Sequence, residues 1–180
     1  MEVVQASDLD AFEIVACPPG RLAELFRLRA SVWIDQGADP AAFPGGEWRE
    51  ALDTRRRHWV ALADGEVVAA ASLSIHADLG DVHEAGAYRR YQIPEAGPIA
   101  APDRVVVRRD WRGRNIVQRL LDAQDGAARA AGAILAVRQA SRMLRPLLLR
   151  RGWRHHGPAL ADPRFPGEEF AVVSLVLQPG

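Results

Sequence analysis

The chain is predicted to fold as one α/β (α+β) domain, a mixed sheet of about seven strands with about four helices on its faces. Three observations predict this. Apolar residues alternate between a strand period and a helical period along the chain, in the order β-α-α-β-β-β-α-β-α-β-β. At least one strand–helix–strand crossover is implied, which mixes parallel with antiparallel pairing. The 180 residues suit a single domain, and no repeat or low-complexity tract divides 1–180.

The elements follow in order. "AFEIVAC" (11–17) is a strand closed by Pro18, Pro19 and Gly20. Leu22, Leu25, Phe26, Val32 and Trp33 recur at helical spacing and predict a helix over 21–36. A loop covers 37–46, and a second short helix is predicted over 47–53. "RHWVALA" (57–63) and "EVVAAASLSIH" (66–76) are strands joined by an Asp64-Gly65 turn. Residues 77–102 have no clear period and read as an inserted loop. "RVVV" (104–107) is a strand, 113–131 a helix ended by Gly132, and "AILAVRQ" (133–139) a buried strand. Residues 141–151 look helical, with Pro146 either starting the helix or bending it. "WRHHG" and "EFAVVSLVL" close the chain as two strands.

Composition excludes several classes. One cysteine, Cys17, leaves neither a disulfide framework nor a cysteine metal cluster. No apolar run approaches a membrane span, and the first 25 residues lack the basic segment of a signal peptide. A cytoplasmic location is expected. The formal charge is zero, yet residues 104–164 hold 14 arginines against four acids. That half is built to meet an anion, while the acidic remainder argues against nucleic acid and for a small polyphosphate. All 23 basic side chains of the Lys and Arg class are arginine, which rules out lysine nucleophiles.

The joint at "VVVRRDWRGRNIVQRLL" (105–121) is where the anion is expected. A strand feeding directly into a helix leaves free N–H groups at the helix start, and the helix dipole favours negative charge there. Gly113 permits close backbone approach, and Arg112 and Arg114 add fork-shaped donors for phosphate oxygens. The stretch resembles the acyl-CoA binding motif of the GNAT superfamily of N-acyltransferases. Val107 matches the strand valine of that motif, and Arg112 and Gly113 its Arg-Gly. Ile116, Leu120 and Leu121 match the helix face, and the element order fits over most of the chain. The resemblance implies a GNAT-like, mostly antiparallel sheet that splays between strands 104–107 and 133–139 to admit the pantetheine arm. It implies that the backbone of Val106 and Val107 holds the arm, and that Arg112, Gly113, Arg114, Asn115, Ile116 and Val117 hold the pyrophosphate.

Four positions depart from the pattern. Asn115 and Val117 stand where small residues are usual, and Asn115 can take a left-handed conformation at modest cost. The asparagine and tyrosine that the family often places seven residues apart align with Ser141 and Leu148. The usual general acid is therefore missing. Another group does that work, or the thiolate leaves unprotonated, or the protein is not a standard acetyltransferase. "LRASVW" (28–33), Asp53 and "HWVA" also resemble acyl-homoserine-lactone and N-acyl amino acid synthases of the same fold, which often use acyl carrier protein.

Acyl transfer to an amine needs a base, and the resemblance implies that the amine enters near the middle of strand 104–107. Asp103 is the first candidate and His76 the second. His76, Asp78, Asp81, His83 and Glu84 are metal ligands by type but at no ligand spacing, so no metal is expected. Segment 77–102 is read as a lid that turns Tyr88, Tyr91 and Ile93 toward the substrate. The sequence thus points to N-acyl transfer, most simply of acetyl, from acetyl-CoA or another acyl-CoA to a small-molecule amine. The alternatives are an acyl-carrier-protein-dependent N-acyl synthase and a degenerate domain that binds CoA or a partner without turnover. A homodimer fits any of the three.

Overall fold

The computed structural model describes residues 11–177. Part of the N-terminal stretch read for a signal peptide lies outside the described residues. Seven strands form one sheet: β1 (Glu13–Ala16), β2 (Arg57–Ala63), β3 (Glu66–Asp78), β4 (Ala96–Val107), β5 (Leu135–Ala140), β6 (Arg154–Pro158) and β7 (Ala171–Val176). Their spatial order is β1-β2-β3-β4-β5-β7-β6. Every neighbouring pair is antiparallel except β4 and β5, which are parallel. The four helices are α1 (Leu22–Ile34), α2 (Ala85–Arg89), α3 (Ile116–Ala130) and α4 (Arg145–Arg150).

Strand periodicity assigns the two faces. Ala69 and Ala71 of β3 pack with Ile116, Leu120 and Leu121 of α3, whereas Ala70 packs with Leu25, Phe26 and Val32 of α1. Successive side chains on a strand point to opposite faces, so the alanine run lets a helix approach closely on each side. Only the α3 crossover joins two parallel neighbours, as the sequence order required.

The structure corrects two readings. The predicted helix over 47–53 is a 3₁₀ turn at Ala51–Arg55. The segment read as a loop over 77–102 is mostly regular, because β3 runs on to Asp78 and β4 begins at Ala96. Between them lie a 3₁₀ turn (Leu79–Asp81) and α2. Leu79, Val82, Ala87, Tyr88 and Ile93 form a small core with Ile99, Leu135 and Val172. Prolines 98 and 102 hid the length of β4. A proline is tolerated best where no ladder bond is required, and β4 lacks a β5 partner beyond Ala100.

Candidate active site

That lost pairing makes the site. β4 and β5 are in register only at Ile99–Leu135 and Ala100–Ala136, and beyond these residues they diverge. A cleft of about 460 Å³ opens in the wedge, between Val105–Val107 on one side and Ser141, Leu144 and Leu147 on the other. Its floor is the β4–α3 joint. Gly113 is left-handed at φ 79° and Asn115 at φ 63°. No side chain caps α3, so the N–H groups of its first turn are free for an anion. Nothing lies within 4 Å of where a Gly113 side chain would stand, so the loop is open to a ligand there. Arg112 is tied back by Nε, which donates to the Val107 carbonyl at 3.4 Å.

Seven of the eight residues expected to hold an acyl-CoA line this cleft: Val106, Val107, Arg112, Gly113, Asn115, Ile116 and Val117. Arg114 does not; its guanidinium lies 4.5 Å from the centre of the Trp111 ring. Leu148, where the family often has tyrosine, is fully buried in the α3-side core.

A β-bulge between β3 and β4 lies beside the wedge. Val106 faces Ala70 and Asp103 faces Ser72, so Arg104 and Val105 together stand opposite Ala71. A bulge leaves its extra residue outside the ladder and bends the strand. Arg104 pays for it with a left-handed φ of 58°, unusual for any residue that carries a Cβ. Several contacts hold it there. Its guanidinium lies 4.0 Å from the Trp48 ring and bonds Glu50. Gln124 reaches up from α3, and its amide donates to the carbonyls of Ser72 (2.6 Å) and Asp103 (3.1 Å).

Beyond the bulge lies a second cavity of about 280 Å³, lined by β3, β4 and β5, the start of α2 and the 160–170 loop. The two cavities share Trp33, Val105, Ser141 and Leu144, so they meet at the bulge. Behind the second one stands a network of buried charge. Arg29 Nη1 is 2.8 Å from Asp53 Oδ1. Arg56 contacts Glu50 (3.3 Å), Asp53 (3.3 Å) and Asp103 (3.0 Å). Arg164 contacts Glu50 (3.1 Å) and Asp162. Trp48 and Phe165 lie under these guanidiniums, and Trp33 packs on Phe165 at 4.5 Å.

Asp103 faces this cavity. Burial would raise its carboxyl, but Arg104 and Arg56 outweigh burial and hold it at about 2. Glu50 is likewise held at about 2, burial being outweighed by Arg104, Trp48 and Arg164. Both are thus fixed anions at neutral pH. His76 is buried one step behind the cavity. Its Nε2 lies 2.8 Å from Ser74 Oγ, and Ser74 lines the cavity. Burial, helped by Arg55, pulls His76 below the usual histidine value. Tyr88 and Ser74 reach the cavity, whereas Tyr91 bonds the Pro158 carbonyl and Ile93 is enclosed in the small core. Among the described residues no group of three His, Cys, Asp or Glu side chains could hold a metal ion. No helix among them is long and apolar enough to cross a membrane.

Sequence reasoning missed the charge network apart from Asp53 and Asp103. A signal was present: Glu50, Asp53 and Arg56 stand three residues apart, which places them on one face of a 3₁₀ turn. A seven-strand sheet, splayed at its one parallel pair and bulged beside the splay, defines the GNAT class of fold. The chain belongs to the Acetyltransferase (GNAT) family, whose family model matches residues 22–153. Among solved structures it is similar to a CoA-dependent acyl-homoserine lactone synthase, BjaI, at 17% identity and a TM-score of 0.71, over 93% of this chain and 84% of that one. A putative N-acetyltransferase from Lactobacillus plantarum matches at 17% identity and a TM-score of 0.67, over 94% and 100% of the two chains. A GNAT-family acetyltransferase from Staphylococcus aureus matches at 13% identity and 0.65, over 93% and 100%. No curated protein sequence matches.

Proposed function

We propose that the protein transfers an acyl group from an acyl-CoA to the amine of a small molecule by direct attack. The observation that carries this reading is the meeting of the two cavities at Val105. A donor in the β4–β5 cleft and an acceptor in the second cavity would meet there, between Val105 on one side and Ser141 and Leu144 on the other. The donor cleft fits an acyl-CoA: it offers an uncapped helix start for the pyrophosphate and an apolar wedge for the arm. Bound there, the acyl-CoA supplies the thioester carbonyl carbon.

The chain's own residues do the rest. The bulge at Arg104–Val105 frees backbone from the ladder at the junction, where it can polarise a carbonyl. The acceptor enters as an ammonium and must lose a proton before it attacks. Ser74 relays that proton to His76 Nε2, because His76 is kept neutral and Ser74 faces the acceptor. Asp103, held at about 2, is too weak a base at neutral pH and instead holds the ammonium form on arrival. As the C–N bond forms the C–S bond breaks, the nitrogen's second proton passes to the departing sulfur, and the thiol leaves past Ser141, which lies at the junction where the family often has asparagine.

Calorimetric titration with acetyl-CoA, a long-chain acyl-CoA and a carrier protein bearing the same chain tests the donor. Saturable binding of a CoA ester, weakened by Arg112→Ala, is expected. Binding of the carrier protein alone would transfer the reading to a carrier-dependent synthase. The exposed Arg109, Arg114 and Arg119 near the cleft would then be its docking face. Binding of no donor would sink the acyl-transfer reading.

A further inference from the structure

The acceptor cavity holds one cation more than its anions explain. Arg29, Arg56, Arg104 and Arg164 are matched in and behind the wall by Glu50, Asp53, Asp103 and Asp162. Arg138, on β5, is a fifth guanidinium and is 4% exposed. It makes no ion pair with any described carboxylate. Its Nε and Nη1 are buried without a hydrogen-bond partner, and it lines the cavity. The Trp153 ring stands 6.0 Å away on the side of the core. Glu84, the other acid at the cavity, is occupied by Gln139, whose amide donates to it at 2.7 Å.

A buried, unpaired guanidinium lowers fold stability, and natural sequences retain such a group where it serves a ligand. The fork geometry of arginine suits a carboxylate, which accepts two parallel hydrogen bonds. We infer that the acceptor is an amino carboxylate whose carboxylate is bound by Arg138 and whose amine is turned toward Val105. This rests on the acyl-transfer reading above. Asp103, on the facing strand, supplies the negative charge for the ammonium, so the cavity matches a zwitterion end to end. Its volume of about 280 Å³ restricts the acceptor to a small molecule. A bare amine would leave the Arg138 donors unpaired and would be rejected.

The test compares the common L-amino acids with their α-carboxamides, using acetyl-CoA and octanoyl-CoA and following thiol release. The best amino acid is expected to exceed its carboxamide by about 100-fold or more in kcat/KM. Arg138→Gln should abolish that preference, and Arg138→Lys, which keeps the charge and loses the fork, should fall between. CoA binding by calorimetry should not change in either variant. The melting temperature of Arg138→Gln should rise by about 2 °C or more, since an unpaired buried charge is gone. A structural arginine would give the opposite shift. Equal use of acid and carboxamide by the wild type would overturn the inference, as would an equal loss of both in Arg138→Gln. If CoA binds but no amine is acylated, the acyl-transfer reading fails by itself. Amino-acid binding is then read by thermal shift: stabilisation of the wild type that is lost in Arg138→Gln supports the carboxylate site, and no stabilisation overturns it.

Discussion

The donor cleft and the acceptor cavity share a wall of four residues, Trp33, Val105, Ser141 and Leu144, yet they are built in different ways. The cleft is mostly backbone and apolar side chain drawn from one continuous stretch, Val105 to Gln118, faced by α4. The cavity is mostly side chain, gathered from α1, a 3₁₀ turn, three strands and the 160–170 loop, and its polar half is a closed ion network. The cleft can tolerate exchange of many side chains because its hydrogen-bonding groups belong to the main chain. The cavity cannot, because apart from Arg138 and Glu84 each charge in and behind its wall is another charge's partner. The two regions therefore predict different failures on mutation.

The largest effect should come from opening the network. Asp53 pairs with both Arg29 and Arg56 and accepts the Glu50 backbone N–H at 2.8 Å. Asp53→Ala leaves two buried guanidiniums short of a partner, which typically costs about 3–5 kcal/mol. Urea denaturation should show a lower midpoint with an unchanged slope. A loss under about 1 kcal/mol would mean that Glu50 and Asp103 close the network without Asp53.

In the cleft the comparable change acts on backbone shape. Gly113→Val forces a β-branched residue to φ 79°, a strain of about 1–2 kcal/mol. CoA binding should weaken by roughly tenfold while acceptor binding stays as it was. Parallel loss of both would show that the joint also shapes the acceptor side. Gln124 lies between the two regions. Gln124→Leu removes both bonds that fasten the bulge, at about 1–3 kcal/mol, and it should lower kcat more than it raises KM.

The pH response bears on the acceptor side, because His58 and His76 stand behind the cavity, bonded to its network and to Ser74. His58 and His76 are both pulled below the usual histidine value, by burial first. Below about pH 6.5 the unfolded chain therefore binds more protons than the folded one, and stability falls with pH through that window. Glu50 and Asp103, held at about 2, add a second loss as the pH drops from about 4.5 toward 2. Activity should fall with the first window, and His76→Gln should remove that limb from the rate profile. A limb that survives in His76→Gln would assign the proton to another group.

How much of this was legible in the sequence follows the same division. The cleft was, because strand, left-handed glycine and uncapped helix are contiguous, and Asn115 took the conformation its short amide allows. The seven strands and their order along the chain were legible from periodicity; their spatial order and the assignment of the two faces came from the structure. The cavity was not. Arg104, Arg138 and Arg164 look like any arginine in a chain whose basic half is crowded with them. Burial and pairing set them apart, and both are tertiary. Helix α2 is five residues long, too short for a period to appear. The turn at 51–55 shows the middle case: its charges had the right spacing, but nothing in the spacing said they were buried.

The smallest predicted effect returns to the arginines of the β4–α3 joint. They look alike in sequence and do three different things. Arg112 leans on the Val107 carbonyl at the cleft wall, and Arg114 lies over Trp111. Arg108 donates to both oxygens of Asp110, at 2.8 and 3.0 Å, and to Glu66 at 2.9 Å. On paper these are the best ion-pair geometries in the region, better than the 3.3 Å contacts of Arg56. Yet Asp110 and Glu66 are 62% and 68% exposed. Water and salt screen such pairs, and holding the side chains costs entropy, so their net worth is small. Arg108→Ala should shift the melting temperature by no more than about 2 °C and leave CoA binding unchanged. A larger shift would mean that distance, and not burial, ranks the ion pairs of this protein, and the contrast between cleft and cavity would lose its physical basis.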